Sequence, residues 1–379
     1  MTDVVIAGFV RSPFTPAQRG QLSRIRPDDL AAGVVAALME RSGVNGADIE
    51  DLILGCAFPE GEQGLNLARL VTFLSGVLPQ SVAGVTVNRF CGSSMYAIHA
   101  AAGAIAMRAG EAFVCAGVES MSRVPMMGFN PLPNPALASS FPAAYISMGE
   151  TAENVADRHG IDRRRQEELA VLSQQRASAA REAGRFDDEL VAVRSGDIEV
   201  TQDGCIRPDT STGGLAALAP AFKADGSVTA GTSSPLTDGA AAVLVCSADY
   251  AHQRGLEPLA RILSMAVAGC DPAIMGMGPV VASRKALTRA GLRAAQIDIV
   301  ELNEAFAAQA LACMDELELS ADKVNLDGGA IALGHPLGAT GARITGKAAA
   351  LLRREGKRYA LATQCIGGGQ GIATVLEAV

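Results

Sequence analysis

The stretch at positions 41–58 comes back, residue for residue at its key points, at positions 289–306. With Gly43 laid over Gly291, the residues Arg41, Ala47, Ile49, Leu54, Ala57 and Phe58 meet Arg289, Ala295, Ile297, Leu302, Ala305 and Phe306. Further on, Val87-Asn88 echoes Val324-Asn325. Two Ala-rich helix–strand units could match by chance once. A match that recurs in the same order reads as duplication, and a duplicated chain is expected to fold as two similar halves. In the first half the hydrophobic pattern predicts helices over 30–41 and 91–108, with strands over 49–55, 82–88 and 112–117. In the second it predicts helices over 280–290, 304–317 and 338–354, with strands over 298–302, 324–326 and 359–364. Strands alternating with helices imply an α/β fold whose parallel or mixed sheets are covered on both faces.

The middle of the chain breaks this rhythm. Residues 121–141 are rich in Pro, Met and Asn, charged helical patterns follow over 151–159 and 163–183, and a polar stretch runs over 185–212. The apolar run at 239–246 then reads as a strand returning to the first half. The expected organisation is a first half over 1–120 and 234–257, an inserted loop domain over 121–233, and a second half over 258–379.

A net charge of −8 and the lack of any basic run argue against nucleic-acid binding. They leave room for an anionic small ligand, which needs only a local Arg or a few backbone N–H groups. The eight cysteines form no CxxC pair and there are four histidines, so zinc-site spacing is absent. The opening MTDVVIAGFVRSPFTP reads as a first strand, not a signal peptide. No segment is long and apolar enough to span a membrane, and the ending Glu377-Ala378-Val379 is no peroxisomal address. A cytoplasmic protein with reduced thiols is expected.

Four short segments carry chemistry. Cys91, in VNRFCGSSM, is expected to follow a strand and open a helix. There the partial positive charge and free N–H groups would lower the thiol pKa, and the sulfur would lie at the carboxyl edge of the sheet, where α/β ligands bind. The bland alternative is a small buried cysteine, the reading given to Cys56, Cys115, Cys205, Cys246, Cys270 and Cys313. His335 stands in the Gly-rich turn GGAIALGHPLGATG, a setting suited to a positioned base; His99, His159 and His252 fall on helical stretches and receive no role. Asn303 and Glu304 follow a strand, where an amide can orient a water or a carbonyl oxygen, or simply cap the next helix. Cys365 heads CIGGGQG, whose exposed backbone N–H groups could form an oxyanion hole. GARITGKA mimics P-loop spacing but ends in Ala348 and has no feeding strand, and no GxGxxG follows a strand, so nucleotide folds are excluded.

At these residues the chain resembles the thiolase family, essentially from end to end. The segments that carry the likeness are VNRFCGSSM, AGVESMSRVPM, MGETAENVA, RPDTSTGGLAALAPAFK, GTSSPLTDGAAAVLV, NEAFAAQA, GGAIALGHPLGATGAR and CIGGGQG. The resemblance implies two duplicated βαβαβ-type halves in a five-layered αβαβα arrangement, with the loop domain inserted in the first. It implies that Cys91 accepts the acyl group, that His335 activates it and that Cys365 is acid and base on the acetyl group. Asn303 would hold a water that joins His335 in one oxyanion hole, and the N–H groups of Cys91 and Gly367 would form the other. No metal or bound cofactor is implied; coenzyme A is a co-substrate. Its contacts would be Arg207 near the adenine, Leu218, Phe222, Ala230 and Ser234 along the pantetheine, and Met148 and Phe306 near the reacting end. Gly214 stands where some members carry Ser, which removes that contact. Ser147 precedes Met148 where biosynthetic members often have His, which favours degradative 3-ketoacyl-CoA thiolysis over acetoacetyl-CoA synthesis. Decarboxylating ketoacyl synthases share the fold, but Cys365 argues against them. A non-catalytic thiolase-like binding protein is disfavoured because all four catalytic positions are filled. The family also implies a homodimer or homotetramer paired through the first-half sheet edge. Some members also join a hydratase–dehydrogenase subunit.

Overall fold

A computed structural model of the chain describes residues 2–379. Nine strands run in line through the main sheet: β1 (Val4–Arg11), β2 (Asp51–Gly55), β3 (Ala83–Val87), β4 (Ala112–Ser120), β5 (Thr237–Ser247), β6 (Ala260–Gly269), β7 (Ile299–Leu302), β8 (Tyr359–Ile366) and β9 (Gln370–Glu377), and a short tenth, Thr15–Pro16, pairs with β5 off this line. Their spatial order is β7-β8-β9-β6-β1-β5-β4-β2-β3. The order divides into two equivalent sets. In the first half, β1, β5 and β4 pair antiparallel, and β4, β2 and β3 pair parallel. In the second half, β6, β9 and β8 pair antiparallel and β8 and β7 parallel, with Val324 bridging Val300 in parallel where β3 stands in the first. The sets meet only at Val5–Arg261 and Ile6–Ala260.

The duplicated segment folds twice in the same way. Helix α1 (Pro27–Ser42) ends on Gly43 at φ 66°, and the matching helix in the second half ends on Gly291 at φ 69°. A single 3-10 turn follows each before the chain enters β2 or β7.

Helices α1 and α2 (Leu67–Leu74) cover the outer face of the first sheet, and their apolar residues share one core with its strands. Helix α3 (Ser93–Ala106) runs between the two sheets. The inserted segment supplies α4 (Met148–His159) and α5 (Arg163–Glu182). The second sheet's outer face is covered by α6 (Gly278–Ala290) and α7 (Ala307–Leu317), and α8 (Leu337–Glu355) lies beside α3 in the middle. The layers are therefore α, β, α, β, α, and the central core draws on α3, α8 and both sheets. Helices α3 and α8 cross closely because Gly341 has no side chain; a Cβ there would come within 2.3 Å of the Met95 nitrogen. At the same crossing the Ala342 N–H donates to Ser94 Oγ at 2.8 Å.

The inserted segment packs onto the second half, and its own small cluster of Ala177, Ala180, Phe186 and Ile206 also takes in Ala332 and Leu333. Ala152, Val155, Leu169 and Ala170 from α4 and α5 pack into the outer core of the second half with Leu311 and Met314 of α7. The sequence pattern, a polar charged face on α5, gave no sign of this docking. In the second half one helix boundary differs slightly from expectation: residues 304–306 are not helical, because α7 begins only at Ala307; 341–348 lies inside α8, which removes any loop there for a phosphate.

A buried ionic network ties the three parts together. Arg11 on β1 makes a two-pronged pair with Asp203 at 2.7 and 2.8 Å and meets Glu189 at 2.7 Å. Lys347 on α8 bridges Glu189 and Asp327, each at 2.8 Å, and Arg354 also pairs with Asp327. These cations hold the Asp327 carboxyl at about 2 despite burial. Its contribution to stability is thus present above the ordinary carboxylate range and is lost as pH falls toward 2. Removing one member of such a set leaves charges buried and unpaired, which costs about 3–5 kcal/mol. Lys347→Met should therefore lower the thermal unfolding midpoint sharply; an unchanged midpoint would show that Glu189 and Asp327 do not depend on the ammonium.

Candidate active site

Cys91 lies between β3 and α3, two residues ahead of the helix rather than within it. The turn that presents it is locked by its own polar groups. The Phe90 N–H donates to Asn88 Oδ1 at 2.8 Å, and the Arg89 N–H donates to Ser93 Oγ at 2.9 Å. Ser93 Oγ in turn donates to the Phe90 carbonyl at 2.6 Å. Phe90 takes a φ of 43°, a left-handed conformation that is rare for an aromatic residue and clusters at functional turns. From across the half-to-half junction, Gln364 Nε2 donates to the Cys91 carbonyl at 2.6 Å.

The backbone groups of Gly367 and of Cys91 itself act on the Cys91 sulfur. Both favour thiolate. Burial outweighs them, and the thiol is pushed up to about 11. The expectation of a lowered pKa is thus corrected: desolvation by burial dominates. Cys365 is fully buried at the end of β8, and its thiol is also raised by burial and by the nearby Cys91.

His335 precedes α8 in a turn fixed by Gly334 at φ 99°, where a Cβ would strike Thr237 at 2.7 Å. Its own N–H donates to Thr237 Oγ1 at 3.1 Å. The ring is buried, with Nε2 3.3 Å from Asn303 Nδ2 and Nδ1 2.6 Å from Thr340 Oγ1. Burial, and secondarily Arg343, hold the imidazole down to about 3, so it is neutral at rest. Asn303 does not cap α7; the position before that helix is Phe306, and Asn303 is directed at the imidazole, with Oδ1 left without a protein partner. Glu304 turns the other way and accepts from Ser173 Oγ at 2.7 Å, Asn325 Nδ2 at 2.7 Å and the Ile331 N–H at 3.2 Å.

Several of the residues expected along the coenzyme contact one another or share neighbours. Arg207 and Ala230 line a small cleft with Thr210, Leu215 and Ser233. Leu218 packs beside Gly231, and a Cβ on that glycine would reach it at 2.8 Å. Phe222 stands edge-on to Phe306 at 5.8 Å, and Ser234 Oγ donates to the neighbouring Ala305 carbonyl at 3.1 Å. Met148 and Phe90 both flank Gly367. Among the described residues no group of three or more His, Cys, Asp or Glu is placed to hold a metal ion, and no helix is long and apolar enough to cross a membrane.

Sequence reasoning missed several supports. Glu119 is the chief one: its carboxylate accepts the N–H groups of Ala57 at 2.8 Å, Phe58 at 3.2 Å and Gly338 at 2.8 Å, and Gln63 Nε2 at 2.9 Å. It thereby links the β2 end to the start of α8. Its acidic character inside the apolar run AFVCAGVES was the available signal.

The thiolase N-terminal domain family matches residues 4–249, and the thiolase C-terminal domain family matches residues 256–378. The chain belongs to the thiolase family. It is 50% identical over 387 residues to a 3-ketoacyl-CoA thiolase of Marinomonas sp. (strain MWYL1), covering 100% of this chain and 98% of that protein. Among solved structures it is similar to human mitochondrial 3-ketoacyl-CoA thiolase in complex with CoA, with a TM-score of 0.92, 38% identity and coverage of 100% of this chain and 98% of that one. It is equally similar to the Bacillus anthracis acetyl-CoA acetyltransferase, with a TM-score of 0.92, 39% identity and coverage of 100% and 99%.

The raised thiol gives a direct test. Alkylation of Cys91 by iodoacetamide should accelerate steadily as pH rises from 6 through 9, because the thiolate fraction is still climbing below about 11. A rate already at its plateau at neutral pH would mean a standing thiolate and would refute the dominance of burial.

Proposed function

We propose that this protein is an acetyl-CoA C-acyltransferase that cleaves 3-ketoacyl-CoA with a second coenzyme A, giving acetyl-CoA and a shortened acyl-CoA. The observations that carry this reading are the Cys91 thiol close enough to Cys365 to raise it further, the influence of the Gly367 backbone on Cys91, and the buried Asn303–His335 pair at 3.3 Å. His335 takes the Cys91 proton as sulfur attacks the 3-keto carbon. With the thiol and the imidazole both neutral at rest, transfer accompanies attack rather than preceding it. The C2–C3 bond breaks, the acyl group stays on Cys91, and the acetyl-CoA enolate takes a proton from Cys365. A second coenzyme A then attacks the acyl-Cys91 thioester and leaves with the shortened chain. The Cys91 and Gly367 N–H groups steady one developing oxyanion, and Asn303 with His335 the other.

In this reading Arg207 lies toward the adenine end, Leu218, Phe222, Ala230 and Ser234 follow the pantetheine, and Met148 and Phe306 flank the reacting thioester. The working division is a first half over 1–120 and 234–257, a loop domain over 121–233 and a second half over 258–379. Fatty-acid β-oxidation in the cytoplasm suits a chain whose eight cysteines are all unpaired.

The test is CoA-dependent cleavage of 3-ketoacyl-CoAs of graded length, from acetoacetyl-CoA upward. Cleavage extending to long chains is expected. Activity on acetoacetyl-CoA alone would move the protein to the short-chain acetyltransferases, and no cleavage at all would overturn the reading. In the same assay Cys365→Ala should still acylate Cys91 from an acyl-CoA but lose proton exchange on acetyl-CoA; intact exchange would remove Cys365 from its role.

Self-association is part of the proposal. The outer edge of β3 is unpaired, Val85 on it is 40% exposed, and Phe73 and Leu74 on the adjoining α2 are each 50% exposed. An apolar sheet edge of this kind fits a second copy across a two-fold axis. Sedimentation equilibrium should give a dimer or tetramer that Phe73→Glu with Val85→Lys dissociates; a monomeric parent protein would refute this assignment.

A further inference from the structure

We propose that Thr340 sets the tautomer of His335 and thereby makes Nε2, not Nδ1, the base that faces the reaction. The inference rests on His335 being the base of the proposed function. It follows from counting hydrogens along one buried chain of contacts. At one end, Asn303 presents its amide NH2 to His335 Nε2 at 3.3 Å. A ring nitrogen facing a donor must offer a lone pair, so Nε2 is bare and the ring proton sits on Nδ1. Nδ1 lies 2.6 Å from Thr340 Oγ1, so that oxygen must accept. The Thr340 hydroxyl hydrogen then needs another acceptor, and the Pro336 carbonyl supplies it at 3.0 Å. The imidazole hydrogen and the Thr340 hydroxyl hydrogen then each have one place. The reverse tautomer would leave Nε2 no lone pair to take the thiol proton.

The sequence spacing makes this arrangement local and rigid. Thr340 lies in the first turn of α8, one turn beyond Pro336, and is fully buried. Its hydroxyl reaches back along the helix to the Pro336 carbonyl and forward to the imidazole that immediately precedes that proline. The ring is thus gripped from within its own turn, while Thr237 holds its backbone N–H. Thr340 touches no reacting atom; it is a positioning residue. Once Nε2 has taken the Cys91 proton, Nδ1–H still donates to Thr340, so the imidazolium keeps its orientation and can use Nε2–H toward the oxygen of the substrate.

The test compares the parent protein with Thr340→Val, which keeps the branched shape, and Thr340→Ser, which keeps the hydroxyl. Two-bond 15N–1H spectra of the ring, assigned to His335 by its loss in His335→Gln, read the tautomer in the resting protein without reference to activity. The parent and Thr340→Ser should show a protonated Nδ1 and a bare Nε2. Thr340→Val should show a mixture of tautomers, with kcat for 3-ketoacyl-CoA cleavage lowered by at least about tenfold and KM within about twofold. Serine should restore both. A parent ring protonated on Nε2, or a folded Thr340→Val with parental kcat, would overturn the inference. The parental spectrum decides even if the valine variant fails to fold. A parent protein that cleaves nothing would instead sink the proposed function, which the spectra alone would not.

Discussion

The close crossing of α3 and α8 is the constraint on which the site depends. Cys91 stands just before one of these helices and His335 just before the other. Neither duplicated half could hold both groups. Their meeting requires two helices from different halves to lie backbone against backbone, which Gly341 against Met95 permits and the Ala342–Ser94 hydrogen bond registers. The central core around them, with Ile98, Ala101, Ile344 and Ala348 buried between two sheets, is apolar and closely packed. A small rotation of one half on the other would therefore clash before it could misplace the thiol.

That same burial sets the electrostatics. Desolvation raises both thiols and depresses the imidazole, so the resting site is held neutral on every member. A neutral site admits a thioester with little reorganisation of charge and creates charge only as bonds change. In the proposed mechanism the N–H groups of Gly367 and Cys91 would steady that charge as it develops. The cost of desolvating the thiol is thus offset in the transition state, not in the resting enzyme.

The architecture was largely legible in the residues. The repeat of positions 41–58 at 289–306 foretold two halves with matching strand order, and apolar runs located most strands. The Cys91, His335 and Cys365 segments were legible because glycine, proline and small residues must surround a chain that turns sharply beside a sheet edge. What was not legible depends on contacts distant in sequence. The pKa of Cys91 reflects what covers it, and a helix-end rule applied to 88–92 misses that. Asn303 reads equally as a cap, and only its distance to His335 decides. The charged pattern of α5 hides an apolar stripe, Leu169 and Ala170, that seals the second half. Glu119 and Gln364 act across more than two hundred residues, where no local pattern can reveal them.

Two buried carboxyls show how the loops beside the site are held without placing a charge pair there. Neither Glu119 nor Glu304 meets a cation. Both have raised pKa values from burial, and both are surrounded by donors instead. An amide in their place would present two hydrogens to surroundings that are already donors, so only an acceptor on every face fits. Glu119 gathers the N–H groups of Ala57, Phe58 and Gly338, pinning the end of β2 to the helix that follows His335. Glu304 accepts from Ser173, Asn325 and Ile331, pinning the turn that precedes His335 to the inserted α5. The His335 turn is thereby gripped on one side from the first half and on the other from the insertion. A cation beside either carboxyl would have put a fixed positive charge near the imidazole that the proposed function uses as a base. Backbone N–H groups and hydroxyls give the same rigidity while leaving that proton affinity largely to Arg343 and to burial.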